Sequence, residues 1–390
     1  MVARFIGTID DNMKVFIVQI SDVLTFPPIL NLINLLEKNG VETELIATKS
    51  EFLHSNKFEH VKFFELDNEY SVFRSKIEKL VDMQKMKKQI WEEIDKTYTK
   101  DDVIWITSDT ALKHLGKRIL KYNYVFQLME LSEELKYYKK LPFKMDASKI
   151  GNKALAVVVP EFNRAHIIKA WWKLNEKPMI LANKPYITKK FVKNNEIEDK
   201  YARDIITKLQ DKKIILYQGI IHRERPLDKY IYAVNKLGDD YAFVVMSGGE
   251  NIYKDIESSN YYFIPYVKAP NHLQITSHAY IGVLSYFPVQ TDYSILNALF
   301  CAPNKTFEYA MFNVPMIGND VPGLKYAFDT TGCGVCIENF EVDSICKAIK
   351  DIESNYEVMS NNAKKYYAGT DIEKQLMDIL EVVQKKIKRG

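Results

Sequence analysis

Cysteine is scarce in this chain, a surplus of charge is missing, and no long apolar run occurs. Each absence excludes something. Four cysteines in 390 residues argue against an oxidising compartment and fit a reducing one. Lys+Arg 54 against Asp+Glu 51 leaves a formal net charge of +3. That balance gives no general attraction to nucleic acid, and none is expected as a partner. No run of apolar residues is long enough to span a bilayer. The opening "MVARFIGTIDDN" lacks the apolar centre of a signal peptide. The expectation is a cytoplasmic protein.

Two local features need separate treatment. Between Lys136 and Lys153 stand Lys136, Lys139, Lys140, Lys144, Lys149 and Lys153, offset only by Asp146. Such a run reads either as a solvated loop or as a face for peripheral contact with an anionic membrane surface, where each cation adds about 1 kcal/mol. Cys333 and Cys336 form a CxxC in "TTGCGVCIE". That stretch reads as a turn feeding a strand, with no second ligand pair at matching spacing. Packed, inert cysteines are expected rather than a redox or zinc site.

What is present in abundance is alternation of short apolar runs with amphipathic stretches. Strands are expected at 14–20, 42–48, 61–66, 102–107, 124–129, 154–159 and 177–181. These runs are apolar throughout, which suits parallel strands buried on both faces. Helical spacing marks 29–40, ending in Gly40, and the long charged segment 72–96. The pattern then restarts at 212–219 and continues through 241–249, 261–267, 279–286, 314–319 and 334–339. At this length two cores are the natural prior. The expected fold is α/β: two Rossmann-like, doubly wound domains facing a cleft, spanning 1–185 and 186–372. A C-terminal helix, 373–390, is free to return to the N-terminal domain. The polar "ANKPYITKK" suits a hinge.

In open α/β sheets ligands bind at the carboxyl ends of the strands, so the loops there carry the candidate chemistry. "YQGIIHRERPLDKYI" places Gly219, then His222, Arg223, Glu224 and Arg225, with Pro226 fitting a first helical position. A glycine admits close backbone approach, and an arginine at a helix start can turn its fork to a phosphate. A salt-bridged surface loop is the plain alternative. "MSGGENIY" ends a strand in Gly248 and Gly249, which suits a ligand backbone or an ordinary turn. "PNKTFEYAMF" starts a helix at Pro303, Asn304 and Lys305, with Glu308 one turn in. Free N–H groups and a lysine there favour an anion. A carboxylate among Phe307, Tyr309 and Phe312 needs a hydrogen-bonding partner such as a sugar diol. Pairing with the helix N-terminus is the alternative. In the first half, Glu130 ends a strand and suits a base or a hydroxyl-orienting group, or a helix N-terminal acid. Asp109 with Ser108 reads as a helix cap, and Arg164 follows another strand.

"PNKTFEYAMFNVPMIGNDVPGLKYAFDTTGCGV" resembles the nucleotide-binding region of GT-B fold glycosyltransferases, closest to family four. Pro303, Lys305, Glu308, Tyr309, Pro315, Ile317, Gly332 and Gly334 carry the likeness. "YQGIIHRERPLDKYIYAVNKL" is similar to the family's first donor-domain strand–loop–helix. "VVVPEFNRAHIIKAWWKLNEKPMILANKP" looks like the end of its acceptor domain. The resemblance is strong over 212–337 and thin before about 150. It implies a nucleotide-sugar donor between the domains, a UDP-sugar by expectation. Glu308 would bind the ribose, Arg225 would neutralise the diphosphate, and Lys305 would be a second phosphate contact. With Glu130 from the reading of the first half, the expected catalytic set is Glu130, Arg225 and Lys305. Donor contacts would come from Gly219, Arg225, Gly248, Gly249, Asn304, Lys305 and Glu308. It further implies retention of configuration and no cofactor or metal, in keeping with a sequence that has no Asp-x-Asp. The acceptor would be a glycan, a lipid-linked or a protein-linked group, as in polysaccharide biosynthesis.

Two departures stand out. The first acid of the family's E-x7-E would fall at position 300, which is Phe300. Asn297 or Asp292 could take the polar role, or the chain could be catalytically dead. The glycine-rich acceptor loop is replaced by "SDVLTFPP" (21–28), a stiffer wall containing Phe26. The alternative to an enzyme is therefore a non-catalytic helper that binds acceptor or stabilises an active partner. A nucleotide-sugar epimerase on the same fold lacks a supporting acid–base set.

Overall fold

The computed structural model describes residues 13–23, 26–48, 58–67, 76–134, 145–289 and 294–389. Lys136, Lys139, Lys140, Lys144 and Asp292 lie outside the described residues. The chain divides into two compact units, Met1–Ala182 with Asp371–Gly390, and Asn183–Thr370.

The first unit is built on a seven-stranded parallel sheet. Its strands are β1 (Val15–Gln19), β2 (Thr43–Thr48), β3 (Val61–Leu66), β4 (Val103–Ile106), β5 (Tyr124–Gln127), β6 (Ala156–Val159) and β7 (Met179–Ile180), in the order β3-β2-β1-β4-β5-β6-β7. Every residue of β1, β4, β5 and β6 is buried. This is why these runs show no alternation: helices cover both faces, and parallel pairing leaves no solvent side. The helix Ile372–Ile387 belongs to this unit and buries Leu376, Ile379, Leu380 and Val383 along one stripe. Its N-cap is Asp371, which accepts from the Lys374 N–H at 2.9 Å.

The second unit carries a six-stranded parallel sheet. Its strands are β8 (Lys213–Gln218), β9 (Tyr241–Ser247), β10 (Tyr261–Pro265), β11 (Ile281–Leu284), β12 (Met316–Asn319) and β13 (Gly334–Ile337), in the order β10-β9-β8-β11-β12-β13. Side chains alternate across it. Leu216 enters a core shared with Val244, Leu284 and Tyr309. Ile215 and Tyr217 enter another with Phe243, Val283, Tyr230 and Ile349. The helices Asp228–Leu237 and Val342–Ser354 cover the second core, and Asn304–Met311 with Pro322–Thr331 cover the first. Strand order reverses between β1 and β4 and again between β8 and β11, so each unit has one topological switch point. Among the described residues no helix is long and apolar enough to cross a membrane.

Candidate functional site

The switch point of the second unit lies at the carboxyl ends of β8 and β11, and the crossover after β11 delivers the helix Asn304–Met311 there. Tyr309 seats that helix. Its hydroxyl donates to the Leu216 carbonyl of β8 at 2.9 Å, and the Val283 carbonyl of β11 is 3.5 Å away. Lys305, one turn earlier, and Glu308, the residue before Tyr309, are brought to the ends of the two strands. Both are buried, at 8% and 9% exposure.

Glu308 is held by residues from two other elements. The Gln218 amide, last in β8, donates to Oε2. His272 Nε2 stands 3.4 Å from Oε1. Thr276 Oγ1 donates to Gln218 Oε1 at 2.6 Å and so orients the amide. Burial alone would raise the Glu308 pKa. The charge and hydrogen bond of His272, then Gln218 and Lys305, outweigh it and hold the carboxyl below its ordinary value. Glu308 is thus a buried carboxylate kept ionised, with lone pairs to spare for hydroxyl donors.

Lys305 is the opposite case. Its Nζ has no hydrogen-bond partner among the described residues. It lies 4.6 Å from the centroid of Tyr217 and 5.3 Å from that of Tyr286. The Arg225 guanidinium sits over the same Tyr286 ring at 5.3 Å, and its Nε also has no partner among the described residues. Burial pushes the Lys305 pKa well below the usual lysine range; the Arg225 charge adds to the push and Glu308 opposes it. Two basic side chains with unused nitrogens against the shared Tyr286 ring are chemically suited to an anion. In a water-poor site that attraction is stronger than in bulk. Gly219 completes the wall: its φ is +121°, and a Cβ there would stand 3.0 Å from Lys305 Nζ.

The structure gathers Gly219, Arg225, Lys305 and Glu308 at this point. Asn304 is the first residue of the same helix, after the cap Pro303. Gly248 and Gly249 are exposed and directly follow β9, the strand beside β8. Pro226 corrects the expectation of a helix start. The helix is Asp228–Leu237, capped by Leu227, so Arg225 precedes it and does not stand on its first turn. The reason is competition: the Pro226 carbonyl accepts from Ser285 Oγ at 3.0 Å and the Glu224 carbonyl from the Phe287 N–H at 2.7 Å. These bonds tie the segment to the chain after β11 before the helix can begin.

Glu130 belongs to the first unit, three residues past β5, with its carboxylate 3.8 Å from Arg164 Nη1. Arg164 is buried and donates to the Met129 carbonyl at 2.7 Å. Ser108 caps the helix Asp109–Leu115 and accepts from the Ala111 N–H at 3.2 Å. Phe300 and Asn297 are half-buried around the short helix Leu296–Leu299. The cysteines are not joined in disulfides; burial pushes Cys333 up to about 11 and Cys336 to about 12, which removes thiolate reactivity. His272, Gln218 and Thr276 were not singled out in the sequence. The one available signal was a glutamine closing an otherwise apolar strand.

No family model matches the chain, and no curated protein matches it. Solved structures do. Sucrose-phosphate synthase from Thermosynechococcus elongatus superposes with a TM-score of 0.62 at 12% identity, covering 97% of this chain and 98% of that one. HepE from Anabaena in complex with UDP-glucose gives 0.62 at 10% identity, covering 97% and 98%. A glycosyltransferase from Rickettsia africae gives 0.60 at 12% identity, covering 96% and 97%. At such identities the likeness shows the fold, which is that of the GT-B glycosyltransferases.

Proposed function

We propose that the chain is a hexosyltransferase-type glycosyltransferase that takes a sugar from a nucleotide diphosphate sugar, with UDP as the nucleotide. The observation that carries this reading is the pair of buried Lys305 and half-buried Arg225 on Tyr286, beside the ionised carboxylate of Glu308. A nucleotide diphosphate sugar presents what this set lacks: phosphate oxygens for the unpartnered Lys305 and Arg225 nitrogens, and ribose hydroxyls for Glu308. The structural likeness to a protein solved with UDP-glucose supports the same ligand class.

In the reaction the bond between the anomeric carbon and the diphosphate oxygen breaks, an acceptor hydroxyl oxygen bonds to that carbon and gives up its proton to the leaving diphosphate, and negative charge grows on that leaving group as the bond lengthens. In this reading Lys305, Arg225 and the N-terminal N–H groups of Asn304–Met311 stabilise that charge as fixed donors. The reading includes retention of configuration, no metal requirement, and Glu130 as the acceptor-side carboxylate. The acceptor class is a glycan, lipid-linked or protein-linked group. Cysteines not joined in disulfides suit a cytoplasmic setting.

The test is calorimetric titration with UDP, followed by donor turnover, on the parent, Glu308→Ala and Arg225→Ala. UDP is expected to bind the parent. Each substitution should weaken it by about tenfold or more, the scale of one lost charge-assisted hydrogen bond. Variants that bind and turn over donor like the parent would remove these residues from the site. UDP binding without any donor hydrolysis would favour the helper reading, which Phe300 motivates.

A further inference from the structure

Glu308 does not stand alone, and the way it is held has a chemical consequence. A carboxylate that accepts from two neighbouring hydroxyls must present both oxygens to them in one plane. Rotation of that plane is otherwise nearly free, because terminal carboxyl torsions are broad. Here each oxygen has its own partner on a different element: Gln218 of β8 on Oε2, and His272 on Oε1 at 3.4 Å. Gln218 cannot turn over, since a carboxylate only accepts and requires the amide N–H to face it. Thr276 Oγ1, 2.6 Å from Gln218 Oε1, fixes the far end of the same amide. Thr276 and His272 share one short helix, His272–Thr276, and Thr276 Oγ1 lies 3.0 Å from the His272 carbonyl. Both contacts on the carboxylate are thus anchored, directly or through Gln218, to the one helix His272–Thr276.

We propose that His272 and Gln218 are positioning residues that fix the plane of the Glu308 carboxylate, and that selection of a ribose over a deoxyribose depends on them. The inference rests on the donor reading above, in which Glu308 meets the ribose hydroxyls. Neither residue needs to touch the nucleotide. Each acts by denying Glu308 the rotations in which only one hydroxyl, or none, is met. The energetic logic is preorganisation: ordering done by the fold is not repeated at binding.

The experiment measures the affinity of UDP and of 2′-deoxy-UDP for the full chain in parent, His272→Ala, Gln218→Ala and His272→Gln, with thermal melting to establish that each variant is folded. The parent is expected to prefer UDP by about tenfold or more, the ratio of one charge-assisted hydrogen bond. In His272→Ala and Gln218→Ala the preference should fall to within about threefold, with 2′-deoxy-UDP affinity changing less than UDP affinity. His272→Gln retains an N–H donor at similar reach and should restore most of the preference. Loss of stability alone would weaken both nucleotides alike and leave the ratio unchanged. A folded variant with the parent's ratio overturns the positioning role. A parent that shows no preference overturns the ribose contact itself, and with it the donor reading.

Discussion

Tyr309 lies flat against Gly282: a Cβ built on Gly282 would meet the Tyr309 ring carbons at 2.4 Å. The glycine is the opening in β11 through which the helix Asn304–Met311 reaches the sheet closely enough for the Tyr309 hydroxyl to bond Leu216 of β8. Lys305 and Glu308 take their positions from that contact.

Gly282→Ala is therefore expected to destabilise the second unit by about 1–3 kcal/mol, the usual cost of forcing a methyl into a packed core. Calorimetric melting measures it. The same substitution should weaken UDP, because relief of the clash lifts the helix that carries Lys305 and Glu308. A variant melting and binding like the parent would show that the ring moves aside without taking the helix with it.

The contrast between the sheets and the site shows what a sequence of this kind discloses. Uninterrupted apolar runs such as "ALAVVV" and "YAFVVMS" expose the strands, because parallel strands covered on both faces have no polar alternation to confuse with helix. The restart at 212 exposes the second sheet for the same reason. Polar contacts are harder. Glu308 meets Gln218, ninety positions away, and His272 on a five-residue helix, and no local rule pairs residues at such separations. The start of Asp228–Leu237 is also hidden, because Pro226 is engaged by Ser285, a contact formed only after folding. The burial of Lys305 between Tyr217 and Tyr286 was equally hidden, since each ring arrives on a different strand end.

Lys305→Met is expected to stabilise the free protein while abolishing tight UDP binding. A buried amine without a partner costs about 1–3 kcal/mol, and methionine fills similar volume without that cost. The pH dependence has a definite sign. The folded pKa of Lys305 is depressed, so between that value and the unfolded value of about 10.4 the unfolded chain holds the extra proton. Stability of the parent from this group rises with pH through that window. The advantage of the methionine variant is thus largest at low pH and fades as pH approaches about 10. Paired melts across pH measure it, and a difference that grows with pH would contradict the assignment.

Asn319 closes β12 and grips both backbone groups of Tyr286: its Oδ1 accepts from the Tyr286 N–H at 2.7 Å, and its Nδ2 donates to the Tyr286 carbonyl. Asn319→Ala leaves a buried donor and a buried acceptor unmatched and should cost about 1–3 kcal/mol. Because Tyr286 carries Lys305 and Arg225 on its ring, UDP affinity should fall as well. Titration of the folded variant separates the two effects. Unchanged affinity at reduced stability would show that the ring is placed by its packing alone.

Proton uptake on binding is the last expectation. In the free protein, burial and Arg225 disfavour the charged form of Lys305. A diphosphate beside Nζ reverses that balance, since an opposite charge within a few ångströms favours the ammonium. Binding should then draw in up to about one proton per site, by linkage between the two equilibria. Calorimetry at several pH values between about 8 and about 10, in buffers of different ionisation enthalpy, reads it as the slope of apparent binding enthalpy where UDP itself is already fully ionised. The parent should show uptake, and Lys305→Arg should show little, because a guanidinium is charged in both states. Equal slopes for the two proteins would mean that Lys305 is already protonated before the nucleotide arrives.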